Sequence, residues 1–123
     1  MKKRQGKYDI GEIVFVNEFE YDNEEKGVNH LFVVVGDDER VIPIEYFGLI
    51  VSSHIEKSKF KYNEVIKHNS KNSLSKDSII KCDKLYVFKK ANILFKIGNV
   101  DVDDYMRFME SYEKYLEEQQ QNV

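Results

Sequence analysis

The chain has 123 residues, 41% apolar and 33% charged, with a formal net charge of −3, which fits one globular domain and leaves no room for a second. No apolar run approaches the length of a membrane span, and a single cysteine excludes an internal disulfide. Only His30, His54 and His68 accompany Cys82, with no zinc-ligand spacing, so neither a metal nor a cofactor is expected.

Residues 1–8 read as a basic tail, 9–118 as the domain, and 119–123 as a frayed end. The tail leads into an acidic strand rather than an apolar segment, which predicts no export signal and a cytoplasmic protein. Ile10 to Val16 is short and rich in β-branched residues, a first strand. Phe19 to Gly27 is polar and acidic and reads as a loop. His30 to Val35 reads as a buried strand stopped by the turn residues Gly36-Asp37-Asp38. Pro43 predicts a bend before the apolar run Phe47 to Val51. Phe60 to Lys67 alternates like a half-exposed strand, and the Ser, Asn and Lys of residues 67–77 form a loop. Short strands are expected at Ser78–Asp83, Leu85–Phe88 and Ile93–Ile97, with a turn at residues 89–92.

Gly98-Asn99 breaks the β pattern. Asp101 is a plausible N-cap, and Asp103 and Asp104 suit the positive end of a helix dipole. Val102, Tyr105, Met106, Met109, Tyr112 and Leu116 recur at helical spacing, giving an amphipathic helix of about five turns. Several short strands and one terminal helix predict a mainly β domain, a small antiparallel barrel capped by a helix.

Charge is segregated along the chain. Residues 8–53 hold eleven acids against two bases, whereas residues 54–96 hold eleven bases against four acids. Phe60, Tyr62, Tyr86, Phe88 and Phe95 are interleaved with those lysines, a composition suited to holding phosphates while stacking bases, and equally to any amphipathic β protein. Within this block Lys81-Cys82-Asp83 ends an apolar run. If the strand continues through it, Lys81 and Asp83 project together and Cys82 points the opposite way. A cation beside a carboxylate is either a surface ion pair or a device for binding phosphate and moving a proton. The residues alone do not choose between them.

In chain order, Gly11-Glu12-Ile13-Val14-Phe15-Val16, Lys26-Gly27-Val28 leading into Phe32–Val35, Val51-Ser52-Ser53 and Ser78–Asp83 resemble the MazF/PemK/Kid-type toxins. That family opens with Gly-Asp/Glu-Ile-Val/Trp and passes through a polar loop to Gly-x-Arg-Pro-x-x-Val-Val. Later it carries Thr-Ser/Ala and a Val-x-Cys-Asp-Gln-type strand. Phe88 to Asp101 is similar to the family's segment before the last helix. The resemblance implies an SH3-like β-barrel, a homodimer, metal-independent cleavage of single-stranded RNA such as mRNA, and neutralisation by a cognate antitoxin. No membrane role is implied.

Carried over position by position, the resemblance sets Lys81 at a catalytic arginine, Asp83 at the aspartate that follows, and Ser52 at a hydroxyl that holds the scissile phosphate. The family's Arg-Pro is Asn29-His30 here, and asparagine cannot replace a two-pronged guanidinium. Lys26 or His30 would have to serve instead. The expected catalytic set is therefore Lys81, Asp83, Ser52 and His30, with Asp83 or His30 as base and His30 the better proton donor. Expected RNA contacts are Glu24, Lys26, Asn29, Ser53, His54 and Lys57. The missing arginine also leaves open a non-catalytic module that binds RNA or protein.

Overall fold

The computed structural model describes residues 7–21 and 24–121. It contains strands β1 (Glu12–Glu20), β2 (Lys26–Asp37), β3 (Glu45–Ser52), β4 (Asn63–Ile66), β5 (Ser78–Lys81), β6 (Tyr86–Lys89) and β7 (Ile93–Asn99), then helix α1 (Val102–Gln121). Short 3-10 turns occupy Ile55–Lys59 and Lys90–Asn92. All strand pairs are antiparallel, in the order β4-β5-β3-β2-β1-β7 with β6 also on β3. The protein is thus mainly β, with one seven-stranded sheet and a C-terminal helix. Among the described residues β4 and β7 are not paired, so the sheet is not closed by hydrogen bonds into the expected barrel.

One feature of the pairing positions the site. The strand β3 pairs along its length with β2, while its other edge is shared: residues 45–48 bind β6 and residues 51–52 bind β5. The connection between β5 and β6, residues 82–85, therefore sits where β3 changes partner. Gly48 lies at this crossing, where an added Cβ would stand 2.8 Å from the Phe88 ring and 3.1 Å from Phe32 Cβ. Only glycine lets the layers approach so closely.

Each face of the sheet carries a core. On one, Ile13, Val33, Leu49, Ile66 and Ile80 are fully buried together with Phe108 of α1. On the other, Val14, Val16, Phe32 and Tyr46 close against Tyr86 and Phe88 of β6. The alternation of β1, β2 and β3 serves both faces, which is why these strands read as continuous apolar runs.

The helix seats on Tyr105, Phe108, Met109 and Tyr112, one stripe at i, i+3, i+4 and i+7 spacing. Val102, Met106 and Leu116, also expected on this face, stay exposed at 72%, 51% and 42%. Val102 and Met106 lie to one side of the stripe, whereas Leu116, four residues after Tyr112, continues it toward the exposed end of the helix. Polar clamps hold the seat. Arg107 donates to Glu64 Oε1 at 2.8 Å, to the Val65 carbonyl at 2.7 Å and to Asp104 at 3.0 Å. Ser111 donates to the other Glu64 oxygen at 2.7 Å. Lys61 donates to Glu118 at 2.6 Å, and the Tyr62 hydroxyl donates to the same oxygen.

Several boundaries depart from the sequence reading. The expected loop Phe19–Gly27 is strand at both ends, through Glu20 and from Lys26, because Glu18 and Glu20 face Val28 and Lys26 across a long hairpin. The Phe19 ring covers Gly27, where no Cβ would fit. The strand expected at Phe60–Lys67 shrinks to Asn63–Ile66, and the one expected at Ser78–Asp83 stops at Lys81. The sequence predicts fraying from Gln119, whereas α1 runs to Gln121. The last residues of the basic tail are docked: Lys7 meets Asp37 at 3.4 Å, and the Tyr8 amide donates to the Tyr46 hydroxyl at 3.0 Å. Residues 1–6 of that tail and 122–123 lie outside the described residues.

Candidate functional site

Strand register gathers three of the four expected catalytic residues on one side of the sheet. Leu31 faces Val51, so His30 stands level with Ser52 one step along; Ser52 in turn faces Ile79. Directly opposed residues share a face, as do residues two apart on one strand. His30, Ser52 and Lys81 therefore project from the same face.

His30 lies within β2, half-buried, with its ring edge-on to Phe19 at 5.5 Å. Burial and then the Lys81 ammonium hold its imidazole below the ordinary histidine value. The second cause means that His30 feels the Lys81 charge across the sheet. Ser52 ends β3, and its hydroxyl accepts the His54 amide at 3.2 Å in a tight local turn. His54 is exposed and pairs with Glu56 at 3.2 Å. Asn29, Ser53 and His54 line a cleft of about 470 Å³ with His30 and Ser52, and Phe15 and Phe95 form part of its apolar wall. Asn29 has φ 55°, the left-handed region that asparagine tolerates better than most residues. Local backbone geometry thus favours asparagine at this position over the long side chain of the family pattern.

Lys81 and Asp83 belong to a second cleft, of about 580 Å³, shared with Lys84, Tyr86, Tyr112 and Tyr115. The two residues do come together, but not by strand alternation, since β5 ends at Lys81 and residues 82–83 form a turn. Nor do they pair: among the described residues no side-chain hydrogen bond or ion pair engages Lys81 or Asp83. The surface ion pair is thereby replaced by two separate charges on one cleft. Cys82 is fully buried, its amide donating to the Tyr62 carbonyl at 3.0 Å. Burial, with Glu64 and Asp83 adding to it, pushes its thiol up to about 12, which leaves it an unreactive anchor of the turn.

The remaining expected contacts are scattered. Glu24 sits at the hairpin tip with φ 64°, and Lys26 faces Glu20 and lines a third cleft with Glu18, Glu45 and Lys89. Lys26 and His30 lie four residues apart on one strand, about 13 Å, so Lys26 does not stand in for the missing arginine at His30. Lys57 is in the 3-10 turn, where its carbonyl accepts Asn63 Nδ2 at 2.9 Å.

The residues that sequence reasoning missed are Lys76 in the first cleft and Lys84, Tyr112 and Tyr115 in the second. Lys84 lies over the Tyr86 ring at 4.6 Å and near Tyr21 at 5.9 Å. The interleaving of lysines with Tyr86 was a signal for the second cleft. The helical tyrosines gave none, because their spacing explains itself as core. Among the described residues no three His, Cys, Asp or Glu side chains are grouped to hold a metal ion. Among the same residues no helix is long and apolar enough to cross a membrane.

No individual curated protein matches the chain. The family described as PemK-like, MazF-like toxin of type II toxin-antitoxin system matches residues 9–111, which takes in all seven strands, the first cleft and the first half of α1 and stops short of Tyr112 and Tyr115. With that much of the sheet and site inside the match, the chain belongs to the PemK-like, MazF-like toxins of type II toxin-antitoxin systems.

Proposed function

We propose that this protein is an endoribonuclease toxin that cuts single-stranded RNA, mRNA among it, by attack of a ribose 2′-hydroxyl. The observation that carries the reading is the link between His30 and Lys81. Burial and that ammonium keep the imidazole uncharged near neutral pH, with a ring nitrogen free to accept a proton. His30 takes the 2′-OH proton, the O2′–P bond forms and the P–O5′ bond breaks. One fragment keeps a 2′,3′-cyclic phosphate and the other a 5′-hydroxyl.

Lys81 and the Ser52 hydroxyl meet the charge that grows on the phosphoryl oxygens, and the departing 5′-oxygen takes its proton from Lys81 or water. With its pKa lowered, His30 is mostly in the neutral form that a base must be and seldom in the imidazolium form that a donor must be, so we assign it the base role in place of the donor role. With the proton on His30, Asp83 has no step in the transfer and is left to bind substrate. Asn29, Ser53 and His54 contact the RNA chain from the first cleft.

The reading brings with it a cognate antitoxin, a cytoplasmic setting and a homodimer. For the last, the edge strand β7 offers half-exposed Leu94 and Phe95, the latter stacked on Phe15 at 5.1 Å, an apolar strip suited to a second copy.

Purified protein incubated with single-stranded RNA in EDTA is expected to produce new 5′-hydroxyl ends and to leave single-stranded DNA intact. Intact RNA, or equal cutting by His30→Ala and Lys81→Ala, overturns the assignment. A second reading, a non-catalytic RNA-binding member, is favoured by Asn29 in place of the family's arginine. It predicts salt-dependent RNA binding with no new ends.

A further inference from the structure

The cleft beside Lys81 contains more than a phosphate ligand needs. Its volume, about 580 Å³, lies within the range of small-molecule sites. Three of its lining residues are tyrosines from two elements: Tyr86 at the start of β6, and Tyr112 and Tyr115 one turn apart on α1. Tyr115 already stands edge-on to Tyr62 at 5.3 Å. The Tyr112 hydroxyl is pushed up first by burial and then by Tyr115, so the two helical phenols are close neighbours. The clamps of Arg107 and Glu118 on β4 and on Lys61 and Tyr62 hold this stretch of helix against the sheet. Lys81 and Lys84 supply positive charge at the same cleft, and Asp83 supplies a carboxylate that is exposed and unpartnered among the described residues. Rings, cations and an unused acceptor together match a nucleotide: a base to stack, a phosphate to neutralise and an amino edge to recognise.

We propose that this cleft is a nucleobase subsite. It takes the base of a nucleotide next to the scissile phosphate, stacks it against the half-buried Tyr112 and Tyr115 and reads it with Asp83. Base-on-tyrosine stacking tolerates any base, so selectivity falls to the carboxylate, which only accepts hydrogen bonds. Guanine fits best, because its N1–H and N2–H₂ donate side by side to two carboxylate oxygens. Uracil presents acceptors on both sides of its single N–H and meets repulsion there. The inference rests on the endoribonuclease reading for the position of the scissile phosphate, but binding at the cleft is measurable without any cleavage.

The test is titration of the full chain, carrying ¹³C-labelled tyrosine rings, with each of the four ribonucleoside 5′-monophosphates. The Tyr112 and Tyr115 signals are expected to shift, with GMP acting at the lowest concentration and UMP at the highest. Tyr115→Leu should weaken GMP binding on the order of tenfold, while Tyr115→Phe, which keeps the ring, should not. Asp83→Asn should abolish the preference for GMP over UMP and keep the shifts. Tyrosine signals that stay still in all four titrations, unaltered GMP binding by Tyr115→Leu, or an intact GMP preference in Asp83→Asn each overturn the subsite. Parallel cleavage mapping separates the two claims. Ring shifts without RNA cutting refute the nuclease and keep the subsite. Cutting whose base preference is the same in Asp83→Asn and wild type refutes the subsite and keeps the nuclease.

Discussion

The His30 cleft and the tyrosine cleft adjoin the same strand system, yet they are built by different means. The first is a product of pairing register: His30 and Ser52 come level because Leu31 meets Val51. The second exists only because α1 is docked, since Tyr112 and Tyr115 reach Lys81 through the seat of Phe108 and the Arg107 clamp. Hydrogen-bonded register is rigid, and a one-residue slip would turn every side chain to the other face. Helix docking is a sum of packing and surface polar contacts, softer and more open to change. The proposed chemistry therefore leans on sheet register, and the proposed base stacking on helix docking.

Substitutions can break this division, beginning with the largest effect. His30→Ala should lower the cleavage rate by about 10²- to 10⁴-fold, read as single-turnover cutting of a short RNA, with little change in binding. Lys81→Met should cost about 10²- to 10³-fold and also move the pH profile. The Lys81 charge disfavours imidazolium, so its removal raises the His30 pKa, leaves more of the base protonated at a given acidic pH and shifts the acid limb of the residual rate upward. A limb that stays in place would separate His30 from Lys81.

Arg107→Met tests the helix side. Losing the contacts to Glu64, Asp104 and the Val65 carbonyl should cost about 1–3 kcal/mol, measured by urea unfolding. It should loosen nucleotide binding at the tyrosine cleft more than it slows chemistry.

The loop of residues 67–77 supplies Ser73, Leu74 and Lys76 to the His30 cleft and is closed by His68, whose amide and ring both meet Asp77, at 3.0 and 2.5 Å. These contacts, the amide first, hold the Asp77 carboxyl below its ordinary value. Its contribution is therefore present above the unfolded carboxylate pKa and is lost as pH falls through the depressed one. Asp77→Asn should speed amide exchange within the loop at neutral pH and leave the tyrosine cleft unchanged. The smallest effect belongs to Lys26→Ala: with Lys26 in another cleft, cleavage is expected to stay within about threefold of wild type, as for an exposed charge.

The fold class, the terminal helix and most of the strands were legible because apolar periodicity reports burial directly. Ile13, Val14, Val16 and Phe32 to Val34 are buried, as their composition indicates. Strand ends were less legible. Lys81-Cys82-Asp83 carries the alternation of a strand, but pairing stops at Lys81 because β3 changes partner there, a long-range event without a local signal. The pairing of β1 and β2 as a hairpin was legible, but the reach of both strands toward the tip was hidden by its charge, since cross-strand pairing tolerates acidic side chains that face solvent.

By itself the sequence determined which segments are apolar enough to be buried and that a lysine-rich block surrounds Lys81. These follow from side-chain chemistry and local period. Tertiary structure alone decided that His30 feels Lys81, that Lys81 and Asp83 stand apart as separate charges, that Lys26 lies in another cleft, and that Tyr112 and Tyr115 complete the second cleft. Each depends on strand register or helix docking, which are properties of contacts between residues far apart in the chain.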